Sequence, residues 1–145
     1  MGLGVMADID ELTKATTLDS VGFTELGARR QESPDFNLEM VRAQPNFVLR
    51  VKHNNNSFQL ILRVDLATNV GPVSAECYGN FLVSSSAPIL TQDLLTEYAN
   101  EVGIMIILPY LRQGIADITQ RVFGNPITAP IYERGQLKFE PRMSS

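Results

Sequence analysis

The strongest candidates for chemistry in this sequence are two residues that each occur once, Cys77 and His53. A thiol beside an imidazole is a nucleophile beside its base, so the pair defines the enzyme this chain would be. No known catalytic signature surrounds Cys77, and its setting in an alternating run predicts a small, buried, apolar residue instead. A single cysteine forms no internal disulfide. One Cys and one His fall short of the three or four nitrogen and sulfur ligands of a zinc site. Asp8, Asp10 and Glu11 lack the glycine and distal glutamate of a calcium loop and read as a solvated helix start. Gly2-Leu3-Gly4 follows no strand, so it is not a phosphate cradle. Ser84–Ser86 has no base nearby in sequence and reads as a turn. There is no GxSxG elbow or Walker-type loop. These readings predict no catalytic residue, no metal site and no cofactor.

The elements that would carry such residues follow from hydropathy. Residues 1–17 are polar, with a weak helical hint at Asp8-Ile9-Asp10-Glu11-Leu12, and read as a flexible end or a short helix. Residues 21–30 form a first strand in which Val21, Phe23, Glu25 and Leu26 alternate imperfectly. Phe36, Leu38, Met40 and Val41 follow as an apolar segment between breakers.

The next three runs alternate with period two. Phe47, Leu49 and Val51 oppose Val48, Arg50 and Lys52. Phe58, Leu60, Leu62, Val64 and Leu66 oppose Gln59, Ile61, Arg63 and Asp65. Val73, Ala75, Cys77, Gly79, Phe81 and Val83 oppose Ser74, Glu76, Tyr78, Asn80 and Leu82. The turns between them fall at residues 54–57, where Asn tolerates positive φ and bonds its own backbone, and at residues 69–72. This is an antiparallel meander with one face covered and one wet. Ile61, Tyr78 and Leu82 are the apolar side chains on the wet face.

After Pro88 the period changes to that of a helix. Thr91 is placed to cap a helix whose first turn holds Asp93 and whose stop is Gly103. A second helix starts near Pro109, with Ile107, Leu111, Ile115, Ile118 and Val122 on one stripe, and ends at Gly124 and Pro126. The expected fold is α+β: a four-stranded antiparallel sheet followed by two helices packed on one face, in a single domain over residues 18–140 with a disordered tail at 141–145.

Composition narrows the function. The 145 residues carry a net charge of −4 and are 44% apolar and 19% charged. A nucleic-acid binder needs excess Lys and Arg on one face, and an anionic membrane surface asks for the same. The most apolar run, residues 102–111, falls short of the about 20 residues that span a bilayer. No secretory signal pattern is visible at the start. A cytoplasmic protein that neither binds nucleic acid nor inserts into membranes is expected.

The string ILPYLRQGIADITQRVFGNP, residues 107–126, is similar to the hallmark segment of SecB chaperones: an apolar run meets Pro109-Tyr110, then Arg112, then an amphipathic helix closed by Gly124 and Pro126. The upstream string SFQLILRVDLATNVGPVSAECYGNFLV resembles the family's long central hairpin. The resemblance covers about residues 20–140 and implies an ATP-independent holdase for unfolded or aggregation-prone polypeptides. It implies subunits paired through their sheets and two dimers joined through their helices. The implied oligomer interface comprises Val21, Phe23, Leu111, Ile115, Ile118 and Val122. The implied client contacts are Phe36, Leu38, Met40, Val41 and Tyr110, large or pliable side chains suited to varied sequences. Export members of the family dock the translocase motor SecA through acidic residues on the exposed sheet face. Here Glu76 lies in that region among the neutral Ser74, Tyr78 and Asn80, and the chain closes on PRMSS rather than an acidic tail. That departure favours the related group that guards an antitoxin in toxin–antitoxin systems. A structural or assembly protein of the same fold, and an enzyme built on Cys77 and His53, are the alternatives.

Overall fold

The structure, a computed structural model, describes residues 2–31 and 43–128. Its elements run α1 (Gly2–Ala15), β1 (Thr16–Ala28), β2 (Ala43–His53), β3 (Ser57–Thr68), β4 (Gly71–Val83), α2 (Gln92–Tyr98), a π-helical turn (Ala99–Gly103) and α3 (Ile104–Phe123). All strand pairs are antiparallel, in the order β1-β4-β3-β2. The fold is the expected sheet with helices on one face.

Alternation explains the two faces. Phe58, Leu60, Leu62, Val64 and Leu66 of β3 and Val73, Ala75, Cys77 and Phe81 of β4 are buried under the helices. Period two carries the residues between them to the opposite face. The turns use polar side chains. Asn54 Oδ1 accepts the backbone N–H groups of Asn56 and Ser57 at 3.0 and 2.9 Å. No described residue other than glycine has positive φ, so this turn rests on the asparagine's hydrogen bonds rather than on a left-handed backbone. At the β3–β4 turn Gly71 has φ 145°, and a Cβ there would stand 1.7 Å from the Arg29 carbonyl oxygen. Only glycine lets the end of β1 come in that close.

Strand β1 shows why its alternation looked imperfect. Its register to β4 shifts between Leu18 and Ser20 and again between Phe23 and Glu25. Each bulge inserts one residue, Asp19 or Thr24, and resets which face follows. Leu18, Val21, Phe23, Leu26 and Ala28 all therefore oppose inward-facing β4 residues.

Three expectations about helices need correction. The N-terminal segment is a 14-residue helix. Its Ile9 and Leu12 are 2% and 0% exposed and enter the core. Tertiary burial stabilises what local propensity left marginal. Gly103 does not stop a helix: its backbone is helical (φ −64°, ψ −40°) and α2 continues through the π-turn into α3. Gly103 is needed for closeness, since a Cβ would lie 2.4 Å from Leu60 Cδ1. Pro109 is inside α3, not at its start. It withholds one N–H from the carbonyl of Met105, a loss the packed flanks outweigh. The start and end fall as expected. Thr91 Oγ1 accepts the Leu94 N–H at 3.1 Å, and Gly124 closes α3 with φ 84°.

The core centres on Phe58 and Phe81, stacked at 4.8 Å, with Tyr98 edge-on to them at 5.4 and 6.2 Å. Burial pushes the Tyr98 hydroxyl up to about 12, because the phenolate would lose its hydration. The stretch Gln92–Phe123 is long and apolar enough, by length and composition, to cross a membrane. In this fold Leu95, Tyr98, Ile104, Ile107, Leu108, Leu111 and Ile115 belong to the core cluster shared with the sheet.

Candidate functional site

The thiol–imidazole pair does not assemble. Cys77 is fully buried on the inner face, opposite Leu62 of β3 and Phe23 of β1. Desolvation raises its thiol to about 11, which keeps it protonated and unreactive. His53 is exposed at the end of β2. It pairs with Phe58, which pairs with Phe81, four residues along β4 from Cys77. Among the described residues no group of three or more His, Cys, Asp or Glu is placed to hold a metal ion. Ser84 Oγ lies 2.9 Å from Ser86 Oγ within the expected turn. A cleft of about 600 Å³ beside that turn is lined by His53, Asn54, Asn55, Asn56 and Ile89.

What the surface offers instead is apolar. Phe23, Leu26 and Tyr110 are 36%, 37% and 47% exposed. The two β1 residues lie on the inner face of an edge strand that pairs with β4 on one side only. The helix reaches the same place through Gly114, where a Cβ would stand 2.5 Å from Phe23 Cζ. Tyr110 is one turn earlier on α3, hence on the same side. Half-buried Val21 completes the group. The hydrophobic inner layer thus reaches solvent at β1, whose other edge has no strand partner among the described residues. Such edges are normally blunted or covered, and contiguous apolar surface beside one marks an interaction site.

The expected interface residues divide. Val21 and Phe23 meet at this edge. Leu111 and Ile115 are 0% and 1% exposed against the sheet of their own subunit. They leave no area for a second copy, because the apolar stripe of α3 is consumed by the core. Ile118 and Val122 are half-buried and pack against that core. Tyr110 is free on the surface. Phe36, Leu38, Met40 and Val41 lie outside the described residues. Sequence reasoning missed Leu26, whose inward turn depends on the bulge at Thr24. It also missed Met105 and Ile89, 37% and 87% exposed. Met105 lies with Ile106 and the exposed Pro109 off the buried stripe, so the first half of α3 is apolar on both sides.

The outer sheet face has a different chemistry. Arg63 is the hub: its guanidinium donates to Glu25 at 3.1 and 3.2 Å and to Asp65 at 2.9 and 3.0 Å, and lies 3.7 Å from Glu76. Arg50 donates to Glu76 at 2.9 Å, and the Thr24 hydroxyl also donates to Glu76. A second row joins Gln59 to Asn80 and Asn80 to Ser20, each at 2.9 Å. The Arg63 hydrogen bond holds Asp65 below the usual carboxylate range, and the Thr24 hydroxyl does the same for Glu76 ahead of the two arginines. Ile61, expected among the wet residues, is 3% exposed. Glu25, Asp65 and Glu76 on this face are therefore already engaged by arginines.

The site thus sits on an antiparallel four-stranded sheet with a long helix across one face, a β1 edge with no second strand partner among the described residues, and an apolar margin along it. No family model matches the chain. Over 147 aligned residues it is 23% identical to the SecB-like chaperone SmegB of Mycolicibacterium smegmatis, covering 99% of this chain and 94% of that one. The fold also matches a solved structure, the Mycobacterium tuberculosis Rv1957 SecB-like chaperone in complex with a ChAD peptide from the Rv1956 HigA1 antitoxin. There the TM-score is 0.77 at 20% identity, over 88% of this chain and 98% of that one. The chain therefore has the fold of a SecB-like chaperone.

Proposed function

We propose that this chain is an ATP-independent holdase that keeps an aggregation-prone antitoxin soluble, acting in the cytoplasm as a homo-oligomer built as a dimer of dimers. The observation that carries the reading is the exposed apolar margin of Phe23, Leu26 and Tyr110 on a fold shared with a chaperone seen holding an antitoxin peptide. A holdase needs apolar surface without a shaped pocket or reacting group, because its clients share hydrophobicity and not sequence. The β1 edge with Val21, Phe23 and Leu26 is the proposed assembly surface: an isologous contact needs only one self-complementary patch. Tyr110 is the proposed client contact, together with Phe36, Leu38, Met40 and Val41 from the sequence. Docking to SecA is not part of this reading, since Glu25, Asp65 and Glu76 are already engaged by arginines.

Size-exclusion chromatography with light scattering, run with and without a reduced, slowly folding client, tests the proposal. A particle of about four subunits that comigrates with the unfolded client and not the native one supports it. A monomer that ignores unfolded chains overturns it and leaves a shared fold with another use.

A further inference from the structure

Gly114 occupies the interior of α3, where alanine would favour the helix. Its backbone does not call for glycine: the positive-φ glycines among the described residues are Gly71 and Gly124. The reason lies in space. A Cβ would stand 2.5 Å from Cζ and 2.9 Å from Cε1 of Phe23. Those are the far atoms of a ring whose backbone is held in register opposite Cys77 of β4. The ring enters the gap in the helix, yet 36% of the residue is still open to solvent at the sheet edge. A methyl group at residue 114 would not break the subunit, because the end of a phenylalanine side chain can swing. The core lies inward, so the ring would swing outward, across the β1 edge.

From this geometry we infer that Gly114 is a positioning residue for self-association: the notch left by its missing side chain seats Phe23 flush with the edge so that a second copy can close over it. The inference rests on the proposed reading of the β1 edge as the assembly surface. It gives a physical reason for a helix-weakening residue at this point, and it makes one atom on α3 decide the shape of a surface built by β1. Buried ring contacts at interface centres carry much of the energy of association, so a misplaced ring has a measurable cost.

The test is a dilution series of the full chain followed by sedimentation velocity, with thermal unfolding measured on each variant. Phe23→Ala is expected to weaken self-association roughly thirtyfold, as loss of an anchoring aromatic does. Gly114→Ala should weaken it roughly tenfold while leaving the thermal midpoint unchanged or higher, since alanine suits the helix. Combining Gly114→Ala with Phe23→Leu, whose side chain is shorter, should recover association to within about threefold, because the two sites are coupled. A merely structural role for Gly114 predicts a lowered midpoint and no such recovery, and that result overturns the inference. So does unchanged association of Gly114→Ala when Phe23→Ala is weakened. Unchanged association of Phe23→Ala is a separate result: it removes the β1 edge as the assembly surface, and the role of Gly114 with it.

Discussion

The two faces of the sheet are built from the same four strands, residue by alternate residue, and hold together by different physics. On the inner face Leu60, Leu62, Ala75 and Cys77 have no exposure at all. Their stabilisation scales with the apolar area removed from water and, the Cys77 thiol at high pH apart, involves no charge. On the outer face Arg63 bridges Glu25, Asp65 and Glu76 with side chains that stay 12–49% exposed. Such pairs are screened by water and ions and add little each. The lesson is that the inner face sets how stable the subunit is, while the outer face sets which charges remain for a partner. At the β1 edge the inner chemistry runs out into solvent, and the proposed function uses that margin.

The comparison breaks most sharply at a buried leucine. Leu62→Ala should cost about 3 kcal/mol, the usual loss for a fully buried leucine whose cavity cannot collapse, read as a lowered denaturant midpoint with unchanged slope. A loss under about 1 kcal/mol would mean the inner face is not close-packed. Next is Gly71→Ala, which strains a φ of 145° and displaces the Arg29 carbonyl. It should cost about 2 kcal/mol by thermal unfolding, the order of a backbone held in a poorly populated region. An unaffected midpoint would show that the end of β1 is not held against that turn.

Smaller effects separate the faces by pH. Burial holds Cys77 at about 11 against an ordinary 9, and Tyr98 at about 12 against an ordinary 10. Both groups are neutral in the folded chain over a range where the unfolded chain ionises them. Stability is therefore complete below pH 9 and falls as pH rises through 11 to 12. Thiol reagents at neutral pH should label Cys77 only after unfolding, and rapid labelling of native protein would contradict its burial. At the acid end the sign reverses. Asp65 and Glu76 are held below their ordinary range, so their contribution is present above that range and lost as pH falls through it.

Arg63→Gln should give the smallest change, about 0.5–1 kcal/mol near neutral pH, because the partners are partly exposed. It should also flatten the acid limb and the salt dependence of stability. An acid limb identical to that of the unchanged chain would show that the network contributes nothing to folding.

Much of the sheet was legible because period two is a local property: Phe58 to Leu66 and Val73 to Val83 declare their faces without reference to anything distant. The cap at Thr91 and the stop at Gly124 were legible for the same reason. The bulges at Asp19 and Thr24 were not, since an inserted residue is visible only against the partner strand. That hid the inward turn of Leu26. The helix over residues 2–15 showed only as a hint at residues 8–12, because Ile9 and Leu12 gain their energy from a core that forms elsewhere. Pro109 and Gly103 misled because each is a breaker by propensity and a tolerated residue once the helix is pressed onto the sheet. The implied interface residues Leu111 and Ile115 were apolar for the core, and an apolar stripe does not say which neighbour covers it.

The sequence by itself determined the class of fold, the buried role of Cys77 and the family likeness carried by residues 107–126, because these depend on residue type and near neighbours. Only the tertiary structure decided where the apolar layer ends, which carboxylates are spent, and why residue 114 carries no side chain. Those depend on atoms far apart in the chain meeting at a few ångströms, where one methyl group or one guanidinium changes what the surface can bind.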